Sequence, residues 1–535
     1  MRNRLRVTMG LLVAGSLVVA ACGGDDDGDA GGSGDGGTGS SSTSEAPTSD
    51  ADTTAILRTS GFAPAKQLDP VRTVSTCESG QLRAIYDSLI RVDNDGKFVP
   101  GLATEWESLD ASTLVLTLRE DVVFQDGTPF DGEAVKAHLE RAKTDPQSTI
   151  QREAATISSV TVEDPHTVRI ELSQPTVGIL PASLSDLLGM VPSPKAVADN
   201  GEQYGVEVAV GAGPYAVESL LPNELLKLRT WGDADEYWDA DNRLLAGVDW
   251  YPPALDKPER VVTGDLDVIP GNELTLASST SLSGIGSISR TSPTYKQVFV
   301  NPAMEPFDKL EVRQALNYAI DRDALADLAG TGDDSVAWGP LPTTSWAHNP
   351  EVEEMYPFDP AKAKELLADA GYPDGISFTA GVTDSPTYNS VGQALQDMFK
   401  DSGITMELVR VSGAEINNAL YQRKEYAAAV TAYAGAADPG RTLSARFGTG
   451  GAQNPGNVSI PELDDLLAEG AASTDQDERA EAYQAAELLV MEQALEVPIG
   501  FNLEATVFRS GVEGIDRGYG SCPGVDYTRR IYIAK

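Results

Sequence analysis

Ile376-Ser377-Phe378-Thr379-Ala380-Gly381-Val382 begins the stretch that decides the fold. It reads as a strand. A helical pattern follows at Tyr388–Lys400, then a strand at Ile404–Val409, a second helical pattern at Ala414–Arg423 and a third strand at Tyr426–Tyr433. Strands alternating with helices call for a parallel sheet joined by right-handed crossovers. In such sheets ligands bind outside the carboxyl ends of the strands. The third strand runs out at such an end, through Thr431-Ala432-Tyr433-Ala434-Gly435-Ala436-Ala437-Asp438-Pro439-Gly440-Arg441. Small residues let backbone approach whatever packs there, and Asp-Pro-Gly continues neither strand nor helix. The stretch reads as a pocket floor.

Working outward, Pro461–Glu469 and Gln476–Leu495 are helical patterns, and a strand pair is expected near Val497–Phe508. Upstream, Tyr295–Val300 reads as a strand. Asp308 with Glu311 three residues on makes a capping box. The helix it opens has Val312, Ala315, Leu316, Ala319 and Ile320 as its buried stripe. Asp359-Pro360 starts another helix, which stops at Gly371 with Pro373 just beyond.

Nearer the N-terminus, folded structure begins near Thr53 with the strand Ala55–Thr59. A helix is expected at Gln81–Leu89 and a strand at Leu114–Leu118. Asp131 caps a helix with Val135, His138, Leu139 and Ala142 on one face. His138 on that face reads as a packed core histidine. Val160–Val162 and Thr167–Leu172 form a hairpin about Asp164-Pro165. Gly211-Ala212-Gly213-Pro214-Tyr215 lacks the Gly-Lys-Ser/Thr ending and the following helix of a phosphate loop. It reads as a tight turn before the strands Tyr215–Glu218 and Leu225–Arg229.

The 535 residues allow two to four domains. With 81 acidic residues against 40 basic, the net charge of -41 argues against nucleic acid and against electrostatic docking on anionic lipid. His138, His166 and His348 are scattered and form no ligand motif, so neither a protein-held transition metal nor a cofactor is expected. Gly-x-Ser-x-Gly, His-Glu-x-x-His and Cys-x-x-Cys are absent from the sequence, which leaves a hydrolase with paired carboxylates as the enzymatic alternative.

Met1–Ala21 carries Arg2, Arg4 and Arg6 ahead of the apolar run Leu11–Ala21, the pattern of a signal peptide. The run is too short to remain as a membrane span. Its end, Val19-Ala20-Ala21-Cys22, resembles the lipobox of bacterial lipoproteins. That resemblance implies cleavage before Cys22 and lipid on Cys22, enough for stable anchoring. Residues 22–52 are then a lipid-anchored tether, since Gly23–Asp52 is Gly, Ser, Asp and Thr with too little apolar surface to order. Cys77 and Cys522 remain in the folded part, either as a disulfide or as two unrelated buried thiols.

Four further stretches resemble one family, the extracytoplasmic solute-binding proteins of peptide and nickel ABC importers. The first is Gly101-Leu102-Ala103-Thr104-Glu105-Trp106 with Leu116–Glu120 and Phe124-Gln125-Asp126-Gly127-Thr128-Pro129-Phe130. The second is the Gly-x-Gly-Pro-Tyr turn with Asp235-Glu236-Tyr237-Trp238. Pro306-Phe307-Asp308 with Val312–Leu316 and Ala319-Ile320-Asp321-Arg322 is the third. The fourth runs from Asp359-Pro360 through Leu366-Leu367 to Ala370-Gly371-Tyr372-Pro373. Together they keep the family's order from about residue 55 to the C-terminus.

The resemblance implies an α/β, two-lobe, periplasmic-binding-protein-like fold. Lobe one would be residues 53–292 plus 497–535, with the extra subdomain of this class, and lobe two residues 293–496. Two crossover segments, Tyr295–Val300 and Val497–Phe508, would form the hinge. It implies a monomeric binding protein, not an enzyme, that captures a peptide or related small solute in the interlobe cleft. Its partners would be ABC permease membrane subunits, and its place the outer face of the cell membrane or the periplasm. A non-peptide solute such as an oligosaccharide or metal-carrier complex, or a non-transporting envelope sensor, is the alternative.

In peptide receptors of this family an aspartate in the loop matching Thr431–Pro439 pairs with the peptide amine. Aligned on Asp438-Pro439, that position is Gly435 here, so the anchor is missing. Asp438 is a ligand carboxylate or a turn-forming residue before proline. Tyr433 stacks on a ligand or packs in the core, and Arg441 pairs with a ligand carboxylate, with solvent or within the chain. Thr76, Cys77 and Glu78 lie where the family lines the cleft from lobe one, and Glu78 is a candidate replacement acid. Trp346 and Asn502 complete the candidates, since a solute pocket needs an aromatic wall with a few polar anchors.

Overall fold

The computed structural model describes residues 50–60, 64–73, 78–93, 96–233, 236–253, 257–329, 335–413, 415–436, 438–515 and 530–535. The signal peptide, Cys22, the tether up to residue 49, Thr76, Cys77, Asp235 and Cys522 lie outside the described residues. In chain order the first strands are β1 (Ile56–Thr59), β2 (Ile90–Val92), β3 (Phe98–Pro100), β4 (Ala103–Asp110), β5 (Thr113–Leu118), β6 (Ile157–Asp164) and β7 (Thr167–Leu172). Next come β8 (Tyr215–Leu221), β9 (Leu225–Thr230), β10 (Gly247–Trp250), β11 (Val268–Asn272) and β12 (Ile285–Val300). The last are β13 (Ile376–Thr383), β14 (Ile404–Val411), β15 (Ala428–Tyr433), β16 (Pro498–Arg509), β17 (Val512–Glu513) and β18 (Tyr532–Ile533).

Ten of these form one sheet, ordered β14-β13-β15-β12-β16-β11-β1-β10-β9-β8. β13 runs parallel to both neighbours, with Ile376 opposite Ile404 and Ala380 opposite Ala428, as alternating strands and helices require. The sheet then turns mixed. β15 pairs antiparallel with β12, and β12 antiparallel with β16.

β12 and β16 belong to both halves: the C-terminal part of β12 flanks β15, while the C-terminal part of β16 flanks β11. Between Thr291 (opposite Leu503) and Tyr295 (opposite Phe501) the register shifts. Ser292, Pro293 and Thr294 thus share a gap spanned on β16 by Asn502 alone. A proline has no N–H for a ladder and belongs at such a bulge. The expected strand pair near 497–508 is instead this single strand of 12 residues. Its partner β12 lies some 200 residues earlier, which no local pattern discloses.

β4, β5, β7 and β6 make a separate antiparallel sheet, covered by the helix Gly132–Thr144. Asp131 caps that helix by accepting from the Ala134 N–H at 3.0 Å. Val135, His138, Leu139 and Ala142 are all buried beneath it. The Gly-x-Gly-Pro-Tyr stretch is a close-approach turn: a Cβ on Gly211 would lie 2.3 Å from the Ile85 carbonyl oxygen. The Gln125 side chain holds the turn, donating to the carbonyls of Ile85, Gly213 and Tyr215 and accepting from the Gly211 N–H. Gln125 and the glycine turn, 86 residues apart, are therefore one structural unit.

The capping box at Asp308 does not form. That helix spans Leu310–Tyr318, with Lys309 at its start and no side-chain cap. The turn Asn301–Phe307, closed by hydrogen bonds from Met304 to Asn301 and from Phe307 to Met304, buries Phe307 and delays the helix. Val312, Ala315 and Leu316 are the helix's buried stripe as read, whereas Ala319 and Ile320, also buried, lie past its end. The second crossover after β14 contains a π-helical turn, Asn418–Gln422.

The apolar residues collect into distinct cores. One joins Leu57, Ile85, Leu116, Ile170, Leu228 and Val512. Another joins Val298, Leu316, Phe378, Leu395, Ile404 and Val430, and a third Leu341, Leu443, Phe447, Leu467 and Tyr483. Burial of apolar surface, at about 25 cal/mol per Å², drives each collapse separately. The result is an α/β fold of two lobes that share a sheet.

Candidate solute cleft

β15 delivers its carboxyl end against the bulge on β12. Tyr433 closes the strand with its ring buried among Tyr295, Ala337 and Phe501, and its hydroxyl donates to the Thr442 carbonyl. Gly435 follows with its α-carbon pressed on Pro293: a Cβ there would sit 2.4 Å from the Pro293 carbonyl oxygen. Asn502, facing the same bulge from β16, accepts from Lys296 Nζ at 2.7 Å. Tyr433, Gly435 and Asn502 thus come together where the chain passes between lobes.

Asp438 caps the helix Pro439–Phe447, accepting from the Arg441 N–H. Its other oxygen takes a charge-assisted hydrogen bond of 2.7 Å from Arg479, and the pair is nearly fully buried. Burial opposes the charge on Arg479, but the Asp438 carboxylate and the Tyr483 hydroxyl together raise the guanidinium's pKa. The same guanidinium lies over the Trp346 and Tyr483 rings at 5.2 and 5.4 Å, so Trp346, half-buried, joins Asp438 in one cluster. Arg441 leaves that cluster and meets Glu153, in the short helix Gln151–Ala154, at 3.4 Å.

Glu78 stands apart, just before the helix Ser79–Tyr86, accepting from the Thr73 hydroxyl. Burial pushes its carboxyl above the ordinary range, and the Thr73 bond pulls the other way.

Sequence reading missed the group beneath the floor. Arg446 and Glu496 are both fully buried, with Arg446 Nε donating to Glu496 at 3.1 Å. The guanidinium also donates to Gln297 and to the Gln453 carbonyl, while the Tyr295 hydroxyl donates to Glu496 at 3.0 Å. Together they tie β12, the helix Pro439–Phe447 and the entry to β16 under Tyr433. A signal existed: Arg446 falls four residues after Thr442 and three after Leu443, on that helix's buried face.

Two α/β lobes joined through a pair of long strands, with loop ends of one lobe facing the other, define a two-lobed binding protein that encloses its ligand. The chain belongs to the bacterial extracellular solute-binding proteins, family 5, whose middle-region model matches residues 97–455. It is 28% identical over 454 residues to the glutathione-binding protein GsiB of Escherichia coli (strain K12), covering 81% of this chain and 86% of that one. In fold it is similar to MppA, a periplasmic murein tripeptide binding protein in its unliganded open form (TM-score 0.76, 21% identity, 91% of this chain and 98% of that one). It is also similar to DppA from Helicobacter pylori in complex with the peptide STSA (TM-score 0.71, 23% identity, 90% and 99%). Its task is to bind a solute outside the cytoplasm.

Proposed function

We propose that the chain is the lipid-anchored receptor of an ABC importer, taking a peptide-class solute between its lobes and handing it to the permease. The lobes are residues 53–292 with 497–535, and residues 293–496. The observation that carries the reading is the junction of β15 with the β12 bulge, where Gly435, Asn502 and the aromatic floor meet on the two strands common to both lobes. A solute touching both sides shifts the open–closed equilibrium by its differential affinity for the closed form. Cys22 would carry the lipid, and Thr76, Cys77, Glu78, Trp346, Tyr433, Asp438, Arg441 and Asn502 would line or support the cleft.

Relatives that bind glutathione and peptides support the peptide class. Gly435 brings no carboxylate to the amine position, which favours a solute whose amine is blocked, modified or held elsewhere, and keeps a non-peptide solute as the second reading. Mass spectrometry of small molecules released from the gently denatured protein tests this. A peptide or modified peptide is expected. An empty release, with no calorimetric response to glutathione or short peptides, would sink the peptide reading. For the anchor, labelled fatty acid should enter the native chain and not the Cys22→Ser variant.

A further inference from the structure

We propose that the rim between the lobes is a built latch, which stabilises the closed form through protein–protein contacts independent of the solute. It rests on the reading that the lobes close on a solute. In lobe one the 3-10 turn Val177–Ile179 is fixed from below: Val177 is fully buried and its N–H donates to the Ala111 carbonyl. Gly178 in that turn lies against lobe two so closely that a Cβ would come within 1.9 Å of the Ser473 carbonyl oxygen and 3.0 Å of that of Ala471. Its three nearest neighbours all belong to residues 471–473, so the close approach is made across the rim and not within lobe one.

Two polar contacts flank this approach. The Ser108 hydroxyl meets the Thr474 hydroxyl at 3.1 Å, and Arg441 meets Glu153 at 3.4 Å. The receiving face on lobe two is rigid. The Ser473 side chain accepts from the Asp475 N–H and bonds Glu478, and Asp475 caps the helix Gln476–Glu492. Arg479 in that helix donates to the Gly470 carbonyl and to Asp438, which caps the helix bearing Arg441. All three rim contacts therefore dock on one stiff unit, so they are made or lost together. Packed surfaces of this kind are bistable and not gradually deformable.

The backbone at Gly178 does not need glycine for its own sake, because its φ lies outside the left-handed region. Gly178→Leu should leave lobe one intact and act only on closure. In the full chain it is expected to enlarge the radius of gyration in small-angle scattering while the thermal midpoint stays within a few degrees. Cross-linking through paired cysteines, Ser108→Cys with Thr474→Cys under a copper oxidant, should slow at least tenfold when Gly178→Leu is added. Unchanged scattering and cross-linking would overturn the latch. Should Gly178→Leu fail to fold, Ser108→Ala with Glu153→Gln removes polar contacts without adding volume: an enlarged particle supports the latch and an unchanged one overturns it. Each readout uses the protein alone, so it holds or fails whichever solute is bound.

Discussion

The α-carbon of Gly435 rests on the carbonyl of Pro293, leaving only 2.4 Å between that oxygen and the place a Cβ would take. The glycine is there because the crossing strand bulges into its space, and an aspartate cannot be restored without moving one of the two backbones. Gly435→Asp should therefore lower stability by about 1–3 kcal/mol, the usual cost of overpacking, and should not create amine recognition. Thermal unfolding gives the first quantity. Calorimetry with free and N-acetylated peptides gives the second: a gain in affinity confined to free peptides would refute it.

Arg446 and Glu496 form an ion pair with no exposed surface. Removing one partner strands the other charge, so Arg446→Met should cost about 3–5 kcal/mol in urea unfolding. Replacing both, as Arg446→Met with Glu496→Leu, should cost less than the single change, since no charge is then left unpaired.

His138 is buried beside the backbone of Leu187 and Leu188, and burial with the nearby Arg141 charge lowers its pKa to about 3. In the unfolded chain it titrates near 6.5, so between these values the unfolded state binds the extra proton. Its contribution is fully present above pH 6.5 and is lost as pH falls toward 3, at about 1.4 kcal/mol per pH unit. Unfolding midpoints measured from pH 7 to 4.5 should fall less steeply for His138→Leu than for the native chain. Parallel slopes would contradict the assignment.

Trp346 presents a half-buried ring beside Asp438 and over Arg479. If it walls the cleft, Trp346→Ala should weaken binding of the co-purified solute at least tenfold, about 1.4 kcal/mol, with most of the change in dissociation rate. Binding unchanged by the substitution would confine the ring to packing on Tyr483.

Much of the scaffold was legible because its signals are local. Asp131 and Asp359 cap the helices their sequences announce, and the alternation from Ile376 to Tyr433 folds as parallel strands. Asp308 misled because a turn that buries Phe307 displaced the helix start by one residue, a tertiary demand stronger than a capping box. At the site, Asp438 shows both halves of the problem. Its capping role follows from Asp-Pro, whereas its pairing with Arg479, 41 residues on, does not.

The sequence alone determined that the chain is a two-lobed α/β solute-binding protein, because caps, periodicity and family motifs are properties of short segments. It also singled out Gly435 as the position lacking a carboxylate. Only the tertiary structure decided why that position is closed. β12 and β16 meet over 200 residues apart in sequence, Pro293 in their register shift sets its carbonyl against Gly435, and two backbones then compete for the volume of a single Cβ.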